Sequence, residues 1–148
     1  MTLPEPQFDD LYRELILDHY RRPRNRGTLA VATRTAEGVN PACGDEIKLD
    51  LLLNADIIED IAFSGQGCSI SQSSASMLTD RVKGKTTAEA NRVLAQVRAM
   101  LVDGDPPASD LGDLESLEGV ARLPVRVKCA LLCWNVLQEG LNTPANVA

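Results

Sequence analysis

Residues 47–65 read IKLDLLLNADIIEDIAFSG, and their opening period is two rather than 3.6. Ile47, Leu49, Leu51 and Leu53 alternate with Lys48, Asp50 and Leu52, the pattern of a strand with one buried face. Asn54-Ala55-Asp56 supplies turn chemistry, and IIEDIAFSG continues as a further strand. Upstream, residues 31–39 (VATRTAEGV) are rich in small and β-branched residues and are read as an edge strand. Parallel crossovers need about a dozen linking residues, so connections this short predict an antiparallel meander. One face of that meander must be covered by helices.

The flanking sequence supplies them. Phe8, Leu11, Tyr12, Leu15, Ile16 and Tyr20 recur at helical spacing and stop before Pro23. His19, the only histidine, stands near the end of that helix without a partner at ligand spacing, and is read as a structural or docking residue. After the strands, GQGC (65–68) is a glycine-flanked turn into a helix carrying Ile70, Ala75, Met77, Leu78 and Val82. Thr86-Thr87-Ala88-Glu89 is a capping-box pattern for a helix through Ala90, Val93, Leu94, Val97 and Leu101. An acidic turn-rich loop, DGDPPASD (103–110), precedes a short helical turn with Leu111, Leu114 and Leu117. The last helix begins near Pro124 with Val127, Ala130, Trp134, Leu137 and Leu141 as its stripe, Cys129 at the border and Cys133 more nearly within. This order predicts an α+β fold: a three-stranded antiparallel sheet with helices packed on one face, as a single domain over residues 1–148.

Composition narrows the function classes. The net charge of −6 argues against nucleic acid as the main partner, and no apolar run approaches the roughly 20 residues that span a bilayer, so no membrane partner is expected. The N-terminus lacks the basic and continuous apolar regions of a signal peptide, which points to a cytoplasmic protein. A reducing compartment disfavours disulfides, so the four cysteines are read as metal-binding, catalytic or buried thiols. Four arginines within residues 21–26 are read as a solvated helix end complementing the helix dipole, with docking as the minority reading.

The cysteines fall at 43, 68, 129 and 133, with no CxxC knuckle, so spacing alone gives weak support for metal. Their contexts say more. Cys68 precedes a helix whose first N–H groups carry partial positive charge, and Cys129 is flanked by Lys128 and lies one turn after Arg126. Gly44 lets backbone approach closely, and in an extended segment Asp45 would point the same way as Cys43. Three thiolates and one carboxylate would fill the four positions of tetrahedral zinc, the carboxylate being the harder and weaker ligand. Arg126 and Lys128 would offset the resulting negative charge. Cysteines as ordinary core residues remain the alternative.

NPACGDEIKLDL (40–51), GQGCSISQSSASML (65–78) and LPVRVKCALLCW (123–134) resemble the three cysteine-bearing segments of the IscU-like (NifU N-terminal-like) iron–sulfur cluster assembly family, specifically its SufU branch. The likeness runs from LYRELILDHYRRPRNRG (11–27) through the final helix. Scaffold members carry a histidine immediately before the last ligand cysteine, where this chain has Lys128, and the region from about 84 to 118 is similar to a SufU-type insertion. The resemblance implies zinc held by Cys43, Asp45, Cys68 and Cys129. It also implies that Cys43 accepts persulfide sulfur from a SufS-type cysteine desulfurase, as a zinc-dependent sulfurtransferase activating that partner. Its alternative is a scaffold on which an iron–sulfur cluster is assembled and passed to apo-proteins, with downstream cluster scaffold proteins as further partners of the sulfurtransferase. Arg126 could hold the freed thiolate or the persulfide anion, against simple charge balance. Cys133 departs from the family pattern and is read as a packed thiol, against a resolving role.

Overall fold

The structure is a computed structural model, and it describes residues 10–142. Strands β1 (Arg34–Asn40), β2 (Asp45–Asn54) and β3 (Ile57–Gln66) form an antiparallel sheet in the order β1-β2-β3, the meander that the alternation and short turns predict. Ile47, Leu49 and Leu51 of β2 lie opposite Gly38, Ala36 and Arg34 on one side and Gly65, Phe63 and Ile61 on the other, which defines the core face. A register shift at Leu52/Leu53 pairs Leu52 with Asp60 but Leu53 with Ile58. That bulge lets Ile58 and Ile61, three residues apart, both be buried. The β2–β3 turn carries Ala55 at φ 54°, a left-handed conformation.

Helices α1 (Asp10–Arg21), α2 (Ser69–Val82), α3 (Thr87–Val102) and α4 (Pro124–Asn142) follow, with a 3-10 helix at Gly112–Arg122 before α4. Helix α4 lies on β1 and β2, α2 lies on β3, and α1, α3 and the 3-10 helix pack behind them. The close seating of α4 depends on Gly38: a Cβ there would come within 2.8 Å of Val136 Cγ2. Trp134, Phe63 and the leucines and isoleucines of β2 and β3 fill one apolar cluster, each fully buried side chain contributing roughly 1.5–3 kcal/mol. Thr86 caps α3 as the pattern predicts, its Oγ1 accepting the Glu89 N–H at 3.1 Å. The 84–118 region holds α3, the acidic loop and the first turns of the 3-10 helix, which runs on to Arg122 beyond the short turn predicted. Among the described residues no helix is long and apolar enough to cross a membrane.

Helix α1 corrects its predicted stripe. Leu11 and Tyr20 are 62% and 45% exposed, while Ile16 and His19 are buried; Phe8 lies outside the described residues. His19 Nδ1 is 2.7 Å from Ser76 Oγ and Nε2 is 2.9 Å from Asp113 Oδ2. Ser76 Oγ also accepts the Arg24 N–H, and the Asp113 carboxylate accepts from Nε2. His19 therefore ties α1 to α2 and the 3-10 helix, in keeping with the structural reading. Arg21 and Arg22 are exposed at the end of α1, as the solvated-end reading has it, but from Arg24 to Gly27 the run becomes a strap. Asn25 and Gly27 exchange backbone hydrogen bonds with Phe63, Arg24 pairs with Asp18 at 2.7 Å, and Arg26 lies over the Phe63 ring.

Candidate metal centre

Three chain segments meet at one edge of the sheet. The β1–β2 hairpin reverses through residues 41–44, closed by Cys43 N–H donating to Asn40 C=O at 3.2 Å and by Gly44 at φ 70°. Asp45 opens β2 and turns its fully buried carboxylate to the core side. Cys43 and Asp45 thus converge through a turn and a left-handed glycine, not through the extended segment predicted. Where β3 ends, Gly67 leads to Cys68, which caps α2 by accepting the Ser71 N–H on its sulfur at 3.5 Å. Cys68 N–H donates to Asp45 Oδ1 at 2.9 Å. Gly67 makes that bond possible, because a Cβ there would stand 2.5 Å from Asp45 Oδ1. Early in α4, Cys129 is fully buried rather than at the stripe's border.

The ligand atoms of Cys43, Asp45 and Cys129 all lie within 4.8 Å of one another. Tetrahedral zinc with Zn–S bonds of about 2.3 Å requires sulfurs roughly 3.8 Å apart, so a small contraction of this group suffices. Cys68 stands outside the trio but beside it: its sulfur acts on Cys129 and on Arg126, and its N–H holds Asp45. Cys133 is elsewhere, its thiol donating to Ser74 Oγ at 3.3 Å and pushed up to about 12 by complete burial. It is the packed thiol that the stripe predicts.

Electrostatics at Cys129 run opposite to expectation. Its thiol is held well above the ordinary value, first by burial, then by the side chains of Asp45, Cys43 and Cys68. The flanking cations do not win: Lys128 is exposed, and Arg126, also exposed, has its own guanidinium raised by the Cys129 sulfur and by the charge of Cys68. Without a cation the pocket disfavours the thiolate that a cation would favour.

Asp45 Oδ2 is the observation that speaks for a metal. It is buried and has no hydrogen-bond partner among the described residues, while Oδ1 is taken by Cys68. A buried carboxylate oxygen left unpaired costs free energy, and this carboxylate offers an oxygen within 4.8 Å of two cysteine sulfurs. One hard and several soft donors around that orphan fit a zinc ion.

Two features escaped the sequence. Asn40 Nδ2 donates to Cys129 Sγ at 3.8 Å; its only outward sign was an Asn ahead of Pro41 at a strand end. Ala42, Cys43, Leu123, Pro124, Val125 and Arg126 line a surface hollow, and Cys43 is half-buried there.

Residues 11–143 match the family described as NifU-like N-terminal domain. The chain is 44% identical over 135 residues to the zinc-dependent sulfurtransferase SufU of Bacillus subtilis, covering 90% of each chain. It is 42% identical over 142 residues to the iron–sulfur cluster assembly scaffold protein IscU of Streptococcus pyogenes, covering 95% of this chain and 88% of the relative. A crystal structure of a putative iron–sulfur cluster assembly scaffold protein for the SUF system from Fervidobacterium islandicum superposes with a TM-score of 0.82 at 34% identity, covering 87% of this chain and 95% of the other.

Proposed function

From the premise that the chain belongs to the NifU-like N-terminal domain family, we propose that it is a zinc-dependent sulfurtransferase of iron–sulfur cluster biogenesis, taking persulfide sulfur on Cys43 from a cysteine desulfurase of the SufS type. Cys43, Asp45 and Cys129 form the core of the zinc site in this reading, and Cys68 completes it. Zinc bound there would keep the cysteine sulfurs as thiolates and offset their charge.

The observation that carries the reading is the contrast in access. Asp45 and Cys129 are 0% exposed, whereas Cys43 is half-buried on a turn that lines a surface hollow. Cys68 is half-buried as well, but of the four ligands Cys43 is the one that lines the hollow, where a partner's thiol can reach it. The Cys43 thiolate attacks the outer sulfur of the donor persulfide; the sulfur–sulfur bond breaks, and the donor cysteine leaves as a thiolate. Arg126, on the wall of that hollow, is the cation available to the anion on either side of the transfer. The apolar rim of Leu123, Pro124 and Val125 gives the partner a surface to exclude water while the sulfurs exchange.

The test is incubation with the desulfurase and cysteine, followed by intact-mass measurement. A gain of one sulfur atom on the wild-type chain, absent from Cys43→Ala, is the expected result, and no gain beside an active desulfurase overturns it. The scaffold reading draws on the 42% identity to the IscU relative. It requires visible charge-transfer absorption after anaerobic loading with iron and sulfide, and cluster passage to an acceptor. Zinc that iron does not displace counts against it.

A further inference from the structure

Asn40 meets three members of the ligand group at once. Its backbone C=O accepts the Cys43 N–H at 3.2 Å and so closes the turn that carries that cysteine. Across the hairpin it is the register partner of Asp45. Its side-chain amide donates to Cys129 Sγ at 3.8 Å, joining the end of β1 to the start of α4.

Only the last of these contacts depends on residue type. Any backbone carbonyl closes the turn, but reaching the sulfur takes a short side chain ending in an N–H. Cys129 Sγ also lies 3.7 Å from Val125 C=O, to which a thiol donates. Asn40 Nδ2 is the side-chain N–H that the structure places on this sulfur, and it is half-buried.

We propose that Asn40 is a positioning residue of the metal centre, its amide fixing the orientation of Cys129 Sγ toward the cation and drawing electron density from the bound thiolate. The proposal rests on the reading of Cys43, Asp45 and Cys129 as metal ligands. Partners that orient a ligand from behind it typically change metal affinity by about 10–100-fold when lost.

The experiment strips the full chain with a chelator and titrates it with cobalt(II), and with zinc(II) against a chromophoric competitor. Wild type, Asn40→Leu, Asn40→Ala and Asn40→Gln are compared. Wild type should bind one ion. Asn40→Leu and Asn40→Ala should bind it about tenfold or more weakly, with the sulfur-to-cobalt charge-transfer band moved to lower energy, because a thiolate without its N–H···S bond gives up an electron more readily. Asn40→Gln, which keeps the amide on a longer arm, should fall between. The band reports the sulfur itself, so a general loosening of the hairpin does not mimic it, and Asn40→Ala stands in should Asn40→Leu not fold. Wild-type binding with affinity and band unchanged in the Leu and Ala variants overturns this role alone. A wild-type chain that takes up neither ion overturns the ligand reading, and the role of Asn40 with it.

Discussion

Asp45 Oδ1 accepts the Cys68 N–H at 2.9 Å while Oδ2, also buried, meets no hydrogen-bond partner among the described residues. One carboxylate therefore does two jobs, bracing β2 against α2 and presenting an unpaired oxygen to the cysteine sulfurs. The two can be separated by Asp45→Asn, which keeps an acceptor for Cys68 but removes the charge. In the metal-free chain this substitution should raise stability by about 1 kcal/mol, because a buried oxygen without a partner is replaced by an N–H group that can donate to the neighbouring sulfurs. With zinc the order should reverse, since the ligand is gone. Urea denaturation of both proteins with and without zinc checks the crossing; a metal-free Asp45→Asn less stable than wild type would show that the carboxylate is already paired.

Arg126 separates transfer from metal holding. Its guanidinium is drawn toward the charge of Cys129 and Cys68, yet it is exposed on the wall of the hollow and is not a ligand. Losing a hydrogen bond to an ionised group costs about 1.5–3 kcal/mol, so Arg126→Ala should slow persulfide uptake by about 10–100-fold with zinc content unchanged. Arg126→Lys should recover part of the rate. The check is the time course of sulfur gain by mass together with metal analysis. Zinc loss from Arg126→Ala would mean instead that the arginine chiefly balances the charge of the site.

Cys133 gives a pH signature distinct from that of the metal centre. Burial raises its thiol from the ordinary 9.0 to about 12. Below pH 9 both folded and unfolded chains keep the proton, and the contribution to stability is fully present. Between 9 and about 12 the unfolded chain loses it first, so stability falls as pH rises, by about 1.4 kcal/mol per pH unit from this group. Cys133→Ala should be less stable than wild type at pH 7, because a packed thiol is gone, yet decline less steeply above pH 9. Urea midpoints at pH 7, 9 and 10 under reducing conditions measure the difference, and parallel declines would refute it.

The sheet was legible because alternation is a local property. Ile47, Leu49 and Leu51 can share a face in only one register, and the turns on either side are too short for any other topology. Helix α2 was less so: every residue from Ser71 to Thr79 is buried, although most of them are polar. The serines are there because they satisfy partners that lie far along the chain, Ser73 on Ile16 C=O and Ser74 on Ala130 C=O. The same holds for α1, where His19 rather than Tyr20 faces the core because Ser76 and Asp113 wait for it. At the candidate site the sequence pointed to Cys43, Asp45, Cys68 and Cys129, of which the structure groups all but Cys68; the turn that joins Cys43 to Asp45 and the amide of Asn40 depend on φ at Gly44 and on α4 meeting β1. Such long-range complementarity leaves no periodicity to read.

Gly67 tests whether that complementarity is as tight as it looks. Its backbone passes so near the Asp45 carboxylate that an added Cβ would lie 2.5 Å from Oδ1, and nearer still to Ser71 Oγ. Either the carboxylate moves and gives up the Cys68 N–H, or α2 shifts at its first turn. Gly67→Ala should therefore cost about 1–3 kcal/mol of stability and weaken zinc binding together. Gly44→Ala is the contrast: nothing lies within 4 Å of its Cβ, but φ is 70°, so its cost of about 1–2 kcal/mol is backbone strain at the Cys43 turn. The pairing with Ser71→Ala tells which neighbour resists. Removing the Ser71 hydroxyl from Gly67→Ala should restore little zinc affinity if Asp45 is the obstacle. Full recovery of both stability and affinity in the double variant would place the clash at Ser71 and leave the Asp45 carboxylate freer than its surroundings indicate.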